Sequence, residues 1–480
     1  MSSKVEPRLL RGLRDLPPEE MIPRQRMVDT IRSVYELYGF VPISTPAIEH
    51  LDVLLGSDPG AETQSSIFTV QGPEAHDLGL RFDLTVPLAR YVAQYGQHVP
   101  RPFRRYQVAP VWRADKPDKG RFREFTQFDL DSVGVESEIA DTEIMAGMCD
   151  TLDALDVGAY TVRYSSRGVL NALLAFAGIA PERSKDVFRV LDKLDKIGPK
   201  KVRLELTTGY VDESGDEISG VGLTDGQVDK IEEFLAIRHD RRVDVVTHLR
   251  DLFGTTAGAD EEIRAVERIS EHLYALGYGD DKVSLDLSIA RGLAYYTGPV
   301  FEAELDEAPE FGSVFGGGRY DGLVERFLGQ AIPAVGASIG VDRLLAALVH
   351  LGKAKARKAT ARVLVTVFSD DMIRDSLEMT WELRRAGIPA EVYVGRPKGV
   401  GKQLKYADRA EIPIALLFGP DEKEQGVVTL KDLDAGRAQA QRIEAREEWL
   451  VERPGQIEAP RAELVATVRR MLAAMGEGAP

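Results

Sequence analysis

The stretch FRRYQVAPVWRADKPDKGRFREFTQFDLDSV, residues 103–133, predicts two strands joined by a polar loop. A period of two places Phe128 and Leu130 on one face of the second strand. The other face carries three polar residues, Gln127, Asp129 and Asp131. The stretch therefore predicts a hairpin with an apolar face in the core and a polar face that looks into a cavity. A strand with one solvated face is the simpler interpretation of this window taken alone.

The loop of this hairpin is basic. Arg113 ends the first strand, and the loop carries four more cations, Lys116, Lys119, Arg121 and Arg123. Arginine offers a rigid fork of donors that matches phosphate and carboxylate groups. The hairpin is therefore suited to an anion lying across it. Gln127 and Asp131 are roughly 13 Å apart along a strand, a span over which side chains can hold both ends of an amino acid.

A shorter polar segment, RFDLTVPL at 81–88, is interpreted as a strand with Arg81, Asp83 and Thr85 on one face. An acid beside a hydroxyl suits a substrate ammonium group. Polar strand faces are common, so this segment alone is weak evidence.

Two glycine-rich and tyrosine-rich runs follow, RGLAYYTG at 291–298 and GGGRYDGL at 316–323. Alternation over 283–289 predicts a half-buried strand that leads directly into Arg291. Glycine lets backbone approach a ligand, and tyrosine both stacks and hydrogen-bonds. Tyrosine pairs in a core and glycine runs in turns are the structural alternatives, and two adjacent runs make them less favourable.

The segment VGASIGVDRLLAAL, residues 335–348, predicts a strand of small residues turning into a helix. Arg343 falls in the first helical turn, where a cation opposes the helix dipole. We therefore expect Arg343 to have an anionic partner, either a ligand phosphate or a nearby acid.

Length and composition limit the classes of function that the chain can have. A chain of 480 residues predicts two or three domains, and its net charge of -16 argues against indiscriminate nucleic-acid binding. The only cysteine, Cys149, excludes an internal disulfide, and the seven histidines show no metal-ligand spacing. No signal-peptide or membrane-spanning pattern is present, so a cytoplasmic location is expected.

The chain is predicted to contain five regions, listed in order: a first catalytic part at 1–167, a mostly helical insertion at 168–278, a second catalytic part at 279–351, a linker at 352–360, and an α/β domain at 361–480. Alternating β and α patterns in the last region favour a small, largely parallel sheet.

These segments resemble the three motifs of class II aminoacyl-tRNA synthetases. Motif 2 matches the hairpin, motif 3 matches the segment around Arg343, and motif 1 matches PISTPAIEH with Pro46. The runs at 291–298 and 316–323 resemble the two histidine-specific runs of the histidyl-tRNA synthetase family. The resemblance implies an α+β fold, with an antiparallel sheet of six or seven strands flanked by helices, a helical insertion and a C-terminal anticodon-binding α/β domain.

The same resemblance implies a histidine–tRNA ligase that uses ATP with Mg²⁺, has no permanent cofactor or protein-bound metal, charges tRNA(His) and forms a homodimer. It places Arg113 and Arg291 at the ATP α-phosphate, with Arg291 also facing the histidine carboxylate, and it places Arg121 and Arg343 at the outer phosphates. Gln127 would hold the histidine carboxylate. The remaining histidine-binding positions implied are Asp83 and Thr85 for the ammonium, Asp131 for a ring N–H, and Tyr295, Tyr296 and Tyr320 for the pocket walls.

Two alternatives stay open at this point. A catalytically silent paralogue could use the same fold as a histidine-sensing regulatory subunit, although such paralogues typically lack the anticodon-binding domain and lose the arginines. A synthetase for proline or threonine is the other alternative, and RGLAYYTG argues against it.

Overall fold

The computed structural model describes residues 5–56, 65–72, 77–116, 122–213, 215–289, 296–354, 356–396, 399–435 and 455–475. The chain divides into two compact units. One comprises Met1–Asp15 with Arg26–Ala354, and the other comprises Leu16–Gln25 with Lys355–Pro480.

An eight-stranded sheet is the centre of the larger unit. From one edge to the other its strands are β1 (Val41–Pro42), β5 (Phe103–Trp112), β6 (Glu124–Val133), β13 (Ala334–Gly340), β12 (Phe315–Arg319), β11 (Pro299–Leu305), β7 (Tyr160–Ser166) and β10 (Val283–Leu285). The six inner strands pair antiparallel, and the two short edge strands pair parallel. The antiparallel sheet is confirmed, and the two edge strands extend it beyond the predicted six or seven.

Smaller strands accompany this sheet. They are β2 (Ile48–His50), β3 (Thr69–Gln71) and β4 (Asp77–Leu80) in one three-stranded sheet, and β8 (Gly209–Val211) with β9 (Glu217–Ser219) in a hairpin.

Helices cover the large sheet, and they also make up most of the region predicted as a mostly helical insertion. Those of residues 18–350 are α1 (Pro18–Leu37), α2 (Leu51–Leu55), α3 (Thr85–Tyr95), α4 (Glu138–Ala154), α5 (Arg167–Ala177), α6 (Ser184–Leu191), α7 (Leu194–Leu206), α8 (Asp225–Leu235), α9 (Arg242–Phe253), α10 (Ala259–Ala275), α11 (Glu325–Leu328) and α12 (Val341–His350). Apolar residues from α4, α5 and α10 join those of the sheet in one continuous core. Among the described residues, none of the helices has the length and hydropathy needed to cross a membrane.

The smaller unit contains a five-stranded sheet in the order β15 (Ala390–Val392), β14 (Val363–Val365), β16 (Ile414–Leu417), β17 (Val427–Asp432) and β18 (Gln456–Pro460). Its helices are α13 (Ile373–Arg385), α14 (Val400–Arg409), α15 (Pro420–Gln425) and α16 (Leu464–Ala474). The predicted largely parallel sheet is observed only in part: β15, β14 and β16 pair parallel, whereas β16, β17 and β18 pair antiparallel. The short connection through α15 reverses the chain, and a parallel crossover needs a dozen or more residues.

Two local predictions are also corrected. Residues 81–84 form no strand; the chain leaves β4 at Leu80 and enters α3 at Thr85. The strand predicted over 283–289 ends at Leu285, because the Asp286 side chain accepts hydrogen bonds from the backbone and hydroxyl of Ser288.

Candidate active site

The floor of the candidate site is the polar face of three neighbouring strands, β5, β6 and β13. Register places Asp131 of β6 between Arg105 and Gly336, and it places Asp129 between Gln107 and Ser338. The opposite face of β6 sends Phe128 and Leu130 into the core, where both are almost fully buried. The predicted division of β6 into an apolar and a polar face is thus observed, and the side chains opposite its polar face on β13 are small or absent.

Glycine on β13 makes room for Asp131. A Cβ at Gly336 would lie 1.9 Å from Asp131 Oδ1, closer than any real contact. On the next strand, a Cβ at Gly318 would lie 2.7 Å from the backbone oxygen of Pro299 and 2.9 Å from the side-chain ring of Tyr296. These two glycines are therefore required by close approach of neighbouring atoms, and φ plays no part in the requirement.

A cavity of about 430 Å³ opens above this floor. The residues predicted from the sequence that line it are Asp83, Thr85, Arg113, Gln127, Asp131, Tyr296, Tyr320 and Arg343. Residues from five separate segments of the sequence therefore meet at one place. Arg121, Arg291 and Tyr295 lie outside the described residues, so their positions stay predictions.

Asp131 marks the end of the cavity that lies farthest from the hairpin loop. Its Oδ1 accepts a hydrogen bond from the Tyr320 hydroxyl, and its Oδ2 lies 2.7 Å from Nη2 of the fully buried Arg105. Burial and then the charge of Asp131 raise the pKa of Tyr320 well above its ordinary value, so the hydroxyl stays a donor. Asp131 is thus held in place on two sides while its remaining lone pairs can accept from a ligand.

The middle of the floor holds a second buried acid, Asp129. Its pKa is raised by burial, an effect that Arg105 opposes and the neighbouring Asp131 reinforces. Ser338 hydrogen-bonds to Asp129 and also accepts a hydrogen bond of 2.8 Å from Gln127 Nε2. The amide nitrogen of Gln127 is therefore occupied, and its Oε1 has no hydrogen-bond partner among the described residues.

Asp83 and Thr85 reach the cavity from the start of a helix, where a strand was predicted. Asp83 Oδ1 accepts from the backbone N–H of Val86, 3.1 Å away, in the first turn of α3. Burial raises the pKa of Asp83, while this hydrogen bond and the charge of Arg113 oppose the rise. The pairing of an acid with a hydroxyl is as predicted, and a helix N-terminus provides it.

Arginines mark the end of the cavity nearest the hairpin loop. Arg113 follows β5, donates from Nε to the Phe82 carbonyl at 3.1 Å and lies over the ring of Phe125. Arg343 lies in the first turn of α12, and its Nη1 donates to the Ser313 carbonyl at 2.7 Å. The cavity thus has two arginines, Arg113 and Arg343, at one end and the buried Asp131 at the other.

Three residues of this site received no role in the sequence interpretation: Arg105, Asp129 and Ser338. Period-two alternation already put Asp129 on the polar face, and extended to β5 it puts Arg105 and Gln107 on the same face. For Ser338 the only signal was a hydroxyl within a strand of small residues, which does not by itself indicate a role.

Comparisons with known proteins agree with this geometry. Residues 12–344 match a family model described as histidyl-tRNA synthetase, and residues 362–453 match one described as an anticodon binding domain. A histidine–tRNA ligase of a Ruegeria species is 47% identical over 479 residues, covering 96% of this chain and 95% of the relative. The corresponding ligase of Cereibacter sphaeroides is 45% identical, with 96% and 97% covered.

A solved structure is also similar. The crystal structure of histidyl-tRNA synthetase from a Nostoc species superposes with a TM-score of 0.83 at 31% identity. The superposition covers 98% of this chain and 100% of the Nostoc chain.

Proposed function

The chain belongs to the histidyl-tRNA synthetase family, and we propose that its cavity binds ATP at the arginine end and histidine at the acidic end. The chain is an aminoacyl-tRNA ligase that uses histidine, ATP and tRNA. This division of the cavity rests on one observation: Arg113 and Arg343 line the same cavity as Asp131 and Tyr320.

The reaction has two steps. A carboxylate oxygen of histidine attacks the α-phosphorus of ATP, the bond to the β-phosphate oxygen breaks, and pyrophosphate leaves. A terminal ribose hydroxyl of tRNA then attacks the carbonyl carbon of the adenylate, loses its proton, and AMP leaves. Neither step requires a protein nucleophile, so positioning and electrostatic stabilisation are the main contributions of the protein.

Arg113 is proposed to stabilise the charge that grows on the α-phosphate. The Phe82 carbonyl fixes its Nε, which keeps the guanidinium in one orientation before substrate binds. Arg343 is proposed for the outer phosphates, and Mg²⁺ would enter with ATP, as this ion commonly binds through substrate phosphates. The roles of Arg121 at the outer phosphates and Arg291 at the α-phosphate remain proposals from family resemblance.

Asp131 is proposed to accept a ring N–H of histidine, with Tyr296 and Tyr320 as walls. Arg105 and Tyr320 restrain the carboxylate, so it would pair with a ring nitrogen without reorganising. A site built on such buried polar partners rejects apolar competitors, which leave those partners unpaired.

The orientation of Gln127 supports a different role from the one predicted. Its Nε2 is bound to Ser338, so the atom left toward the cavity is Oε1, an acceptor. An acceptor repels a carboxylate and attracts an ammonium group. We therefore propose that Gln127 joins Asp83 and Thr85 at the histidine ammonium, and that the carboxylate lies toward the arginines.

The activity is tested by aminoacylation of total tRNA with histidine, proline and threonine in turn. Only histidine should be attached; attachment of another amino acid would overturn the proposed specificity. Formation of histidyl-adenylate also distinguishes a ligase from a silent regulatory paralogue, which the relatives and the anticodon-binding match already disfavour.

The proposed role of Arg113 is tested by histidine-dependent pyrophosphate exchange. Arg113→Gln should lower the rate by roughly 10²- to 10³-fold, the range for a lost transition-state donor. Arg104→Gln is the matched control, because Arg104 lies on β5, the strand that Arg113 follows, but pairs with Glu143 at 2.9 Å outside the cavity. Equal rates for both variants would contradict the assignment. The homodimer with Pro46 at its interface, the contact with tRNA(His) and the cytoplasmic location remain proposals.

A further inference from the structure

Four buried acceptor atoms that line the cavity have no hydrogen-bond partner among the described residues: Asp83 Oδ2, Gln127 Oε1, Asp129 Oδ1 and Asp131 Oδ2. Asp131 Oδ2 forms an ion pair with Arg105, which leaves the first three. Asp83 and Asp129 are only 3% and 2% exposed. Buried polar atoms are almost always hydrogen-bonded, and exceptions require a cause. Three unpaired acceptors around one space indicate a ligand with several donors.

The charges at this place point to a cation. Asp83, Asp129 and Asp131 are all buried there, and Arg105 is the buried cation in contact with the last two. The charges of Arg113 and Arg326 act on Asp83. Arg105 lies closer to Asp131 than to Asp129, since its Nη2 is 2.7 Å from Asp131 Oδ2 and 4.0 Å from Asp129 Oδ2. Asp83 and Asp129 also repel each other across the cavity. Another positive charge placed between Asp83 and Asp129 would lower the energy of the site.

We propose that Asp129 contacts the α-ammonium group of the substrate directly, as a third acceptor beside Asp83 and Gln127. An ammonium group has three N–H donors and no acceptor, which matches three acceptor atoms. The inference rests on the proposed function and adds a substrate contact that neither the motifs nor the sequence interpretation assigned. Asp129 is therefore a determinant of selection for a free amino group.

The position of Asp129 favours the ammonium over the imidazole ring. Ser338 connects Asp129 with Gln127, because it hydrogen-bonds to the acid and accepts from the amide. Asp131 lies two residues farther along β6, where Tyr320 and Arg105 hold it at the ring end. Asp129 is thus grouped with the acceptors of the amino group, and Asp131 with the residues of the ring pocket.

Two ligands that differ only in the amino group test this proposal. L-histidinol carries the ring and the amine, and 3-(imidazol-4-yl)propan-1-ol carries the ring alone. Binding of each to the full chain and to Asp129→Asn is measured by calorimetry. The variant should bind histidinol roughly 10- to 100-fold more weakly, as expected for loss of a hydrogen bond to a charged group. It should bind the ligand without the amine within about two-fold of the original chain.

Glu302→Gln is the matched control. Glu302 is a buried acid on β11 of the same sheet, paired with Arg163 at 2.6 Å and outside the cavity lining. This variant should bind both ligands like the original chain. Equal weakening of both ligands in Asp129→Asn would overturn the inference and indicate a ring contact or a structural role. Failure of the original chain to bind histidinol would overturn the proposed function as well.

A measurement on the unaltered chain covers the case in which Asp129→Asn does not fold. Burial favours the protonated acid in the empty site, and a bound ammonium group favours the carboxylate. Near pH 7, after the proton carried by each free imidazole ring is subtracted, histidinol should therefore release more protons on binding than the ligand without the amine. Calorimetry in buffers of different ionisation enthalpy gives this difference, and equal release would overturn the inference.

Discussion

At the scale of single residues, the site depends on glycines, because the absence of a side chain at these positions leaves room for the polar groups. Asp131 occupies the space above Gly336, so even one methyl group there would meet its carboxylate. A polar strand face becomes a binding floor only when the neighbouring strand offers such space. The glycines of β12 and β13 are therefore as necessary to this site as its acidic residues.

Gly336→Ala should raise the KM for histidine by about ten-fold or more and change the KM for ATP little. The added Cβ displaces Asp131 from the ring pocket, and overpacking of this kind costs about 1–3 kcal/mol. Pyrophosphate exchange at varied histidine and ATP gives both constants. Gly226→Ala is the control, since its Cβ would meet nothing within 4 Å and its helix tolerates alanine. A proportional rise in both constants would contradict the role of Gly336.

Asp129 also makes the stability of the ligand-free chain depend on pH. Burial, and to a lesser extent Asp131, raise its pKa from an ordinary value near 4 to about 7. Between about pH 4 and pH 7 the folded chain then holds a proton that the unfolded chain has lost. This contribution to the free energy of unfolding is present at low pH and is lost as pH rises toward 7.

Asp129→Asn should remove this contribution. Without ligands, the Tm of the unaltered chain minus the Tm of the variant should therefore be larger at pH 5 than at pH 8. A difference in Tm that stays constant over this range would show that Asp129 does not titrate there.

At the scale of elements, one buried ion pair connects the glycine-rich strand to a helix. Arg319 at the end of β12 lies 2.6 Å from Asp141 of α4, which is 1% exposed. Its Nη1 also donates to the carbonyl of Val135 ahead of that helix, at 2.8 Å. The next residue is Tyr320, so this pair sets where the tyrosine meets Asp131. The arginine of GGGRYDGL therefore acts in packing, and the tyrosine reaches the cavity.

Arg319→Met should lower the free energy of unfolding by about 3–5 kcal/mol, because Asp141 stays buried without its partner. The double variant Arg319→Met with Asp141→Leu should recover much of the loss, since it removes the uncompensated charge. Urea unfolding followed by fluorescence measures both. No recovery in the double variant would mean that the backbone contacts of Arg319 outweigh the ion pair.

At the scale of the whole molecule, the chain is acidic, with a net charge of -16, yet it acts on tRNA. RNA contact must therefore use local groups of cations. In the smaller unit Arg396, Lys402 and Lys405 are exposed, and the two lysines lie one turn apart on α14. Lys398, which is close to them in the sequence, lies outside the described residues.

Replacing Lys402 and Lys405 by Gln should weaken tRNA binding and reduce its dependence on salt. Each lost phosphate contact should lower the slope of log Kd against log salt by roughly one. Filter binding at several salt concentrations measures the slope. Lys423→Gln is the control, because Lys423 already pairs with Asp375 at 2.7 Å in the same unit. An unchanged slope in the double variant would exclude α14 from the RNA contact.

The sequence by itself determined the hairpin of residues 103–133, its two faces, the helix carrying Arg343 and the family. These features depend on period, spacing and residue type, which are local properties that a chain displays without being folded. For the same reason the sequence predicted that Asp83 and Thr85 face one cavity, which they line, but it placed them on a strand where the structure has the start of a helix.

Only the tertiary structure decided what lies opposite each polar residue. Arg105 beside Asp131, Ser338 between Gln127 and Asp129, and Arg319 on Asp141 are contacts between segments 26 to 211 residues apart. Pairing across strands and burial determine which atom of Gln127 faces the cavity. They also determine which carboxylate oxygens have no hydrogen-bond partner among the described residues. Those properties belong to the sheet register and to the exclusion of water, and no window of sequence contains them.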